Sequence, residues 1–400
     1  MLPRVKIYYE NGSIGAATPM EDGVCGLVAS GVAVSGTFAL ETAYLLTTLD
    51  DLTALGITSD SSDANANIFK AVKEFYDEAP VGTKLWLMAY DKTVTYGALF
   101  DKTNNYAKKL IVAANGAINF IFTAIADPTG YTPTIVNGLD SQVATAMLKA
   151  HELANWATDT LYAPLFVLLE GRHYNGNAGN LANLAENEYN RVGVVIGDTV
   201  SGSTGACSGL VAGRLAAIPV QRSLMRVKTG TIKAEKLYIG TQAAENGQPD
   251  VVNDAGYICP RTFVGKAGYY WCNDHLATAD SDDYKLIQRR RVIDKAYRIA
   301  YKTLVEELGD EIPVTDDGYI PAPVCKHIQN KVETAIENQM TAYGNLGADP
   351  SNPKDTGVTC YIDYKQNVVA TSLLKIQLRV KPFGYPKYID VYLGFKTTNS

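Results

Sequence analysis

The sequence predicts an alternating α/β body followed by an α+β region. Three observations carry this. Short, wholly apolar segments alternate with helical ones between residues 24 and 225. Two long amphipathic helices are patterned between about 283 and 343. Strands of clear alternation lie at both ends of the chain. The expected division is an N-terminal strand arm and loop (1–22), an α/β body (23–225), a connector (226–256) and a C-terminal region (257–400) ending in a strand arm from about 383.

Residues 4–10 alternate Val5, Ile7 and Tyr9 with Lys6, Tyr8 and Glu10, a strand signature. Val24 to Ala29 and Ala43 to Thr47 read as strands, and a short helix follows at 49–55. Ala64 to Tyr76 is helical, with Ile68, Val72 and Phe75 on one face. Leu85 to Ala89 and Asn119 to Ala126 are apolar strands, with a helix at 106–114 between them. A long helix at 139–158 turns Val143, Met147, Ala150 and Ala154 inward. Strands at 165–169 and 192–196 and a helix at 207–217 complete the body. Short apolar strands alternating with helices predict a parallel sheet covered on both faces. The polar, Gly-containing stretch 226–256 shows little pattern.

In the C-terminal region the first helix runs from about 283 to 308, with Ile293, Tyr297, Ala300, Leu304 and Leu308 on one face. Arg289, Arg290 and Arg291 open it and spread around its circumference, so at least one should point inward or into a contact. Arginine near a helix N-terminus opposes the macrodipole, which calls for acidic partners in the chain or on a neighbour. The second helix, about 322–343, carries Val324, Ile328, Val332, Ile336, Met340 and Tyr343. Leu374, Ile376, Leu378 and Val380 then alternate with Lys375, Gln377 and Arg379, and after a Phe-Gly-Tyr-Pro turn Ile389, Val391, Leu393 and Phe395 alternate again. A chain ending in patterned strands should pair them with something.

The 400 residues carry a net charge of −6, which gives no reason to expect nucleic-acid binding. Tyr is abundant, 25 against 10 Phe, a composition of half-buried interfaces. No apolar run reaches membrane-spanning length, so membrane insertion is not expected. Met1-Leu2-Pro3-Arg4 leads straight into a strand, so no signal peptide is expected. The six Cys are scattered and read as reduced thiols, and with four scattered His no metal site is indicated.

Catalysis has candidates but no constellation. Gly205-Ala206-Cys207-Ser208-Gly209 fits a cysteine version of the nucleophile elbow, but about ten residues separate it from its strand, and the later His275 and His327 lie in the other region. The Gly- and Ser-rich 197–209 loop could hold a phosphate at a helix N-terminus, yet has no Walker Lys. Otherwise it reads as a flexible loop with Cys207 packed in the helix. Asp127 and Asp198 close strands, as turn residues do, and Glu170-Gly171-Arg172-His173 places three polar groups at one strand end. No catalytic residue, cofactor or metal is expected.

The order of parts resembles the contractile tail sheath proteins of phage tails and related injection machines. The residues that carry the resemblance are Gly23 to Gly31 running to Thr47-Thr48-Leu49-Asp50-Asp51-Leu52, then Ala212-Gly213-Arg214-Leu215-Ala216 with Pro219, then Gly256-Tyr257 with Arg261-Thr262-Phe263, and the Arg triplet opening a long helix. The chain departs from the family in having Glu306-Glu307-Leu308-Gly309 where an aromatic-rich stretch is usual, and in lacking a Trp-Gly before Arg261. The resemblance implies a structural subunit, not an enzyme. Such a subunit forms hexameric rings stacked helically around an inner tube protein, with baseplate and terminator proteins as further partners. It would assemble in the bacterial cytoplasm into a virion tail or phage-tail-like particle. It implies that Val5, Ile7, Tyr9, Ile389, Val391, Leu393 and Phe395 lie on arms donated to neighbours' sheets. It also makes Arg289, Arg290, Arg291, Lys326, Lys331, Glu333 and Glu337 candidates for tube-facing or inter-subunit charges. The alternatives are an α/β hydrolase or nucleotide-dependent enzyme using the 197–209 loop, and a tube or baseplate component.

Overall fold

The computed structural model describes residues 21–393. The chain divides into two compact units, one ending at Arg298 and one beginning at Ile299.

The first unit is built on a six-stranded sheet. Its strands are β1 (Cys25–Gly31), β2 (Tyr44–Leu46), β3 (Leu85–Asp91), β4 (Phe120–Ala124), β5 (Phe166–Glu170) and β6 (Val192–Val195), in the order β2-β3-β1-β4-β5-β6. All neighbours are parallel except β2, which runs antiparallel to β3 at one edge. Strands β4, β5 and β6 are buried at every position, as a sheet covered on both faces requires.

Helices around it include α1 (Leu49–Ala54), α2 (Asp63–Glu78), α3 (Ala107–Ala113), α4 (Ser141–Leu161) and α5 (Ser208–Ala217). Gly26 of β1 faces Leu110 of α3, whereas Gly31, on the opposite pleat, faces Ile68 of α2. Phe75 of α2 stacks on Phe122 of β4 with centroids 5.8 Å apart. Helix α1 starts where Thr48 and Asp51 form a capping box, the local reason for Thr-Thr-Leu-Asp-Asp.

The body extends beyond the expected boundary at 225. Ile232, Leu237, Ile239, Ala244 and Val252 of the expected connector are buried in the main core. Ile258 donates its N–H to Val194 O at 2.9 Å and continues the sheet beyond β6. A hairpin of β7 (Pro260–Phe263) and β8 (Lys266–Trp271) follows, and Ile232 N–H donates to Tyr269 O at 2.8 Å. Residues 226–298 therefore belong to the first unit, contrary to the division expected from sequence.

Helix α6 (Ile287–Val305) spans the division between the units. Its buried face also differs from the expected stripe. Ile287, Val292, Ala296 and Ile299 are buried, whereas Tyr297 is 37% and Leu308 79% exposed. The face is rotated because Arg290, Arg291 and Asp294 occupy buried positions that an apolar pattern does not count.

The second unit contains α7 (Ala322–Ile336), a π-turn at Glu337–Thr341, and an antiparallel pair of β9 (Val358–Tyr361) and β10 (Gln377–Val380). Ile328, Val332, Ile336 and Met340 are buried, but Tyr343, at the end of the expected stripe, is 74% exposed beyond the helix. Ile320, Cys325, Ile328 and Ile362 form a core with Leu304, Ile312, Val324 and Leu374 packed against it.

Candidate functional site

The carboxyl end of the parallel sheet gathers polar groups. Glu170 closes β5, and its carboxylate accepts Ile125 N–H at 2.8 Å and Ala206 N–H at 3.2 Å. Burial pushes its pKa up to about 7, against the opposing pull of Arg172 and the two N–H groups. Arg172 donates to Ile125 O and, at 2.6 Å, to Asp127, which also lies 3.0 Å from His173. Glu170, Arg172, His173 and Asp127 are thus brought together.

A second cluster, unseen in the sequence reading, joins Lys70 to Glu74 at 2.9 Å and to Asp198 at 2.7 Å. Its signal was the i,i+4 spacing of Lys70 and Glu74 on a helix. Burial alone would lower the Lys70 pKa, but the two carboxylates outweigh it and the ammonium stays charged. Asp127 and Asp198 are each held by their own cations, so they do not act as a carboxylate pair.

The 197–209 loop is tied down at several points. Cys207 N–H donates to Gly197 O, His173 N–H to Thr204 O, and Gly202 N–H to Gly240 O, all at 2.9 Å. Cys207 caps helix α5, fully buried. Burial, with Glu74 and Asp198 nearby, raises its thiol pKa well above normal. Neighbouring carboxylates oppose formation of a thiolate. The cavity beside the loop has a volume of about 50 Å³ and is lined by Lys70, Thr123, Glu170, Asp198, Ser203 and Ser208. It has room for water-sized molecules.

The Arg triplet works largely inside the chain. Arg290 pairs with Asp294 at 2.9 Å and stacks over Tyr284, and Asp294 also holds Arg191 at 3.2 Å. Arg291 donates to Ile218 O at 3.1 Å, and burial lowers its pKa to about 10. Burial in their own unit removes Arg290 and Arg291 as surface charges, correcting that expectation. Arg289 is half-buried. On α7, Lys331 is held by Glu306 at 3.0 Å and Glu307 at 2.6 Å, and Glu333 accepts Cys360 N–H at 2.8 Å. Lys326 is exposed and Glu337 half-buried.

The β9–β10 pair leaves one edge open. Lys381 N–H donates to Gly357 O at 2.8 Å, which fixes the phase of the ladder. With Thr359 opposite Arg379 and Tyr361 opposite Gln377, these residues turn their backbone groups toward each other. The N–H and C=O groups of Leu378 and Val380 then face outward, and no bond among the described residues uses them. The outer side of β9 is closed at Cys360 by Glu333. Downstream, Ile389, Val391 and Leu393 are 77%, 76% and 95% exposed and form no strand within the described chain. Val5, Ile7, Tyr9 and Phe395 lie outside the described residues. No described helix is long and apolar enough to cross a membrane, and no group that could hold a metal ion occurs among the described residues.

Comparison with solved structures finds this fold along the whole chain. A sheath complex of the PVC extracellular contractile injection system, in its contracted state, matches with a TM-score of 0.63 at 12% identity, covering 99% of this chain and 98% of the other. The anti-feeding prophage baseplate structure matches with a TM-score of 0.62 at 16% identity, covering 99% of each chain. The contracted anti-feeding prophage helical sheath matches with a TM-score of 0.59 at 16% identity, covering 100% and 99%. No curated protein matches. The DUF2586 N-terminal domain matches residues 2–275 and the DUF2586 C-terminal domain residues 283–400. The chain has the fold of contractile sheath proteins and belongs to the DUF2586 family.

Proposed function

We propose that this chain is the structural subunit of a contractile tail sheath. It polymerises into hexameric rings stacked around an inner tube, and contraction drives the tube through a target envelope. The observation that carries the reading is the open edge of β10 beside an exposed, strand-patterned terminal segment. A neighbour's strand adds to such an edge through backbone bonds, which do not depend on side-chain identity and so keep subunits linked while they move. The arms are 1–10, bearing Val5, Ile7 and Tyr9, and 383–400, bearing Ile389, Val391, Leu393 and Phe395.

Two long helices and the terminal sheet make up the assembly region, and Lys326 of the second helix and Glu337 of the π-turn after it are its tube-facing charges. Individually weak surface pairs suit an attachment that must release. Baseplate and terminator proteins complete the partners, and assembly takes place in the bacterial cytoplasm. A buried, high-pKa Cys207 with carboxylates for neighbours supports a structural over a hydrolytic role.

Negative-stain electron microscopy of the full chain over a concentration range, with and without inner tube protein, tests this. Hollow striated cylinders are expected, and they should vanish when residues 1–10 are deleted. A monodisperse monomer under every condition overturns the reading.

A further inference from the structure

The stretch 222–236 carries Arg222, Arg226, Lys228, Lys233 and Lys236 against a single carboxylate, Glu235. Arg226, Lys228, Lys233 and Lys236 are exposed. The β7–β8 hairpin, bonded to this stretch through Ile232 and Tyr269, adds the exposed Arg261 and Lys266. None of these seven cations has a carboxylate within 4.0 Å among the described residues. Burial, and after it the nearby charge of Arg226, lowers the pKa of Arg222. Uncompensated like charges favour an anionic partner. The strip is conspicuous on a chain whose net charge is −6.

The complementary surface is on the same chain. Residues 306–317 hold Glu306, Glu307, Asp310, Glu311, Asp316 and Asp317, and no Lys, Arg or His occurs between Thr303 and Cys325. Lys331 takes Glu306 and Glu307, while Asp310, Glu311, Asp316 and Asp317 are exposed and in no ion pair among the described residues.

We propose that the basic strip of one copy docks on the acidic 306–317 loop of a second copy. A single strip–loop contact joins two different surfaces and leaves a free strip on one partner and a free loop on the other. Made head to tail it propagates into a ring or helix, whereas two such contacts made reciprocally close a two-fold dimer, and the sedimenting size tells the two apart. This deepens the assembly proposed above and rests on it. A contact made of exposed ion pairs is screened by salt and released without unfolding either surface.

The test is sedimentation velocity of the full chain at about 50 mM and about 500 mM salt, spanning strong and weak screening. Three proteins are compared: wild type, R226E/K228E/K233E, and D310K/E311K/D317K. All substituted side chains are exposed, and a thermal melt checks folding. Each variant alone should associate about tenfold or more weakly at low salt, as wild type does at high salt. An equimolar mixture of the two variants, which restores opposite charge at every contact, should associate like wild type. Wild-type association with an unaffected strip variant overturns this inference and leaves the sheath reading standing. So does failure of the mixture when both variants melt normally, because the strip's partner is then not the loop. Absence of wild-type association at both salts overturns this inference alone; the sheath reading falls only if the chain also stays monomeric with inner tube protein present.

Discussion

Arg214 of α5 meets Glu78 of α2 through two hydrogen bonds, Nε to Oε2 at 2.6 Å and Nη2 to Oε1 at 3.0 Å. Both side chains are buried. The remaining donors of Arg214 reach Gly230 O at 3.1 Å and Thr231 O, and Glu78 Oε1 also accepts Lys233 N–H at 2.7 Å. One ion pair therefore fastens two helices and the second half of the basic strip.

Arg214→Ala should lower stability by about 3–5 kcal/mol, because Glu78 is left buried without its cation. Replacing both partners, Arg214→Met with Glu78→Leu, removes the stranded charge and should cost clearly less, though Lys233 N–H loses its acceptor. Thermal melts of the single and double variants check this. A single variant that melts with wild type would show that water solvates the pair.

Helices α2 and α5 touch through two glycines one turn apart. A Cβ at Gly213 would meet Phe75 O and lie 2.8 Å from Glu78 Cβ, and one at Gly209 would meet Ala71 O and lie 2.9 Å from Glu74 Cβ. Backbone cannot swing aside as a flexible side chain does. Gly213→Val should cost about 1–3 kcal/mol or more, the range of overpacking, despite the better helix propensity of the new residue. A melt that rises instead would mean the helices separate freely.

These residues show what the sequence could and could not reveal. The apolar strands were legible because a sheet covered on both faces needs side chains of one kind at every position. The Ala-Gly-Arg run was legible as a motif, while its reason, close helix approach plus a buried ion pair, depends on Glu78 far away in the chain. The Arg triplet was legible as needing at least one inward contact and acidic partners, but that Arg290 finds Asp294 and Arg291 finds Ile218 O inside the chain is set by tertiary packing. Residues 226–256 read as connector because Ile232, Leu237, Ile239 and Val252 follow no period; irregular segments are buried by long-range contacts. The open edge at Leu378 and Val380 was not legible, since alternation gives faces but only pairing register gives edges.

Glu170 makes stability depend on pH. Its folded pKa, raised by burial to about 7, exceeds the usual 4.5. The protonated form is favoured on folding, so this contribution is fully present below about pH 4.5 and is lost as pH rises through about 7. The loss by pH 8 is on the order of 3 kcal/mol. Glu170→Gln cannot ionise and should flatten that slope, although its amide leaves one of the two N–H donors without an acceptor. Denaturant melts at pH 5, 6, 7 and 8 (values about the pKa) compare the slopes, and equal slopes would place the titration elsewhere.

Cys207 should be inert. Burial and the carboxylates of Glu74 and Asp198 disfavour the thiolate that alkylating reagents require. Iodoacetamide at mildly alkaline pH should leave it unmodified in the folded chain and label it in denaturant, as read by peptide mass spectrometry. Cys207→Ala should leave assembly intact. Rapid native labelling at this position would reopen the hydrolase alternative.

The edge of β10 gives the sharpest test of strand donation. Leu378 N–H points away from β9, whereas Arg379 N–H points into the pair. Proline lacks the donor and is tolerated on a strand only where that donor faces outward. Leu378→Pro should therefore keep the β9–β10 pair, at the cost of some half-buried side-chain packing, and remove a bond that an added strand would use. Arg379→Pro removes a bond of the pair itself and should unfold this part of the second unit. Circular dichroism separates the two: near-native for the first, diminished for the second. Electron microscopy should then find Leu378→Pro folded but not polymerised. Normal cylinders from this variant would mean that neighbours hold one another by some surface other than this edge.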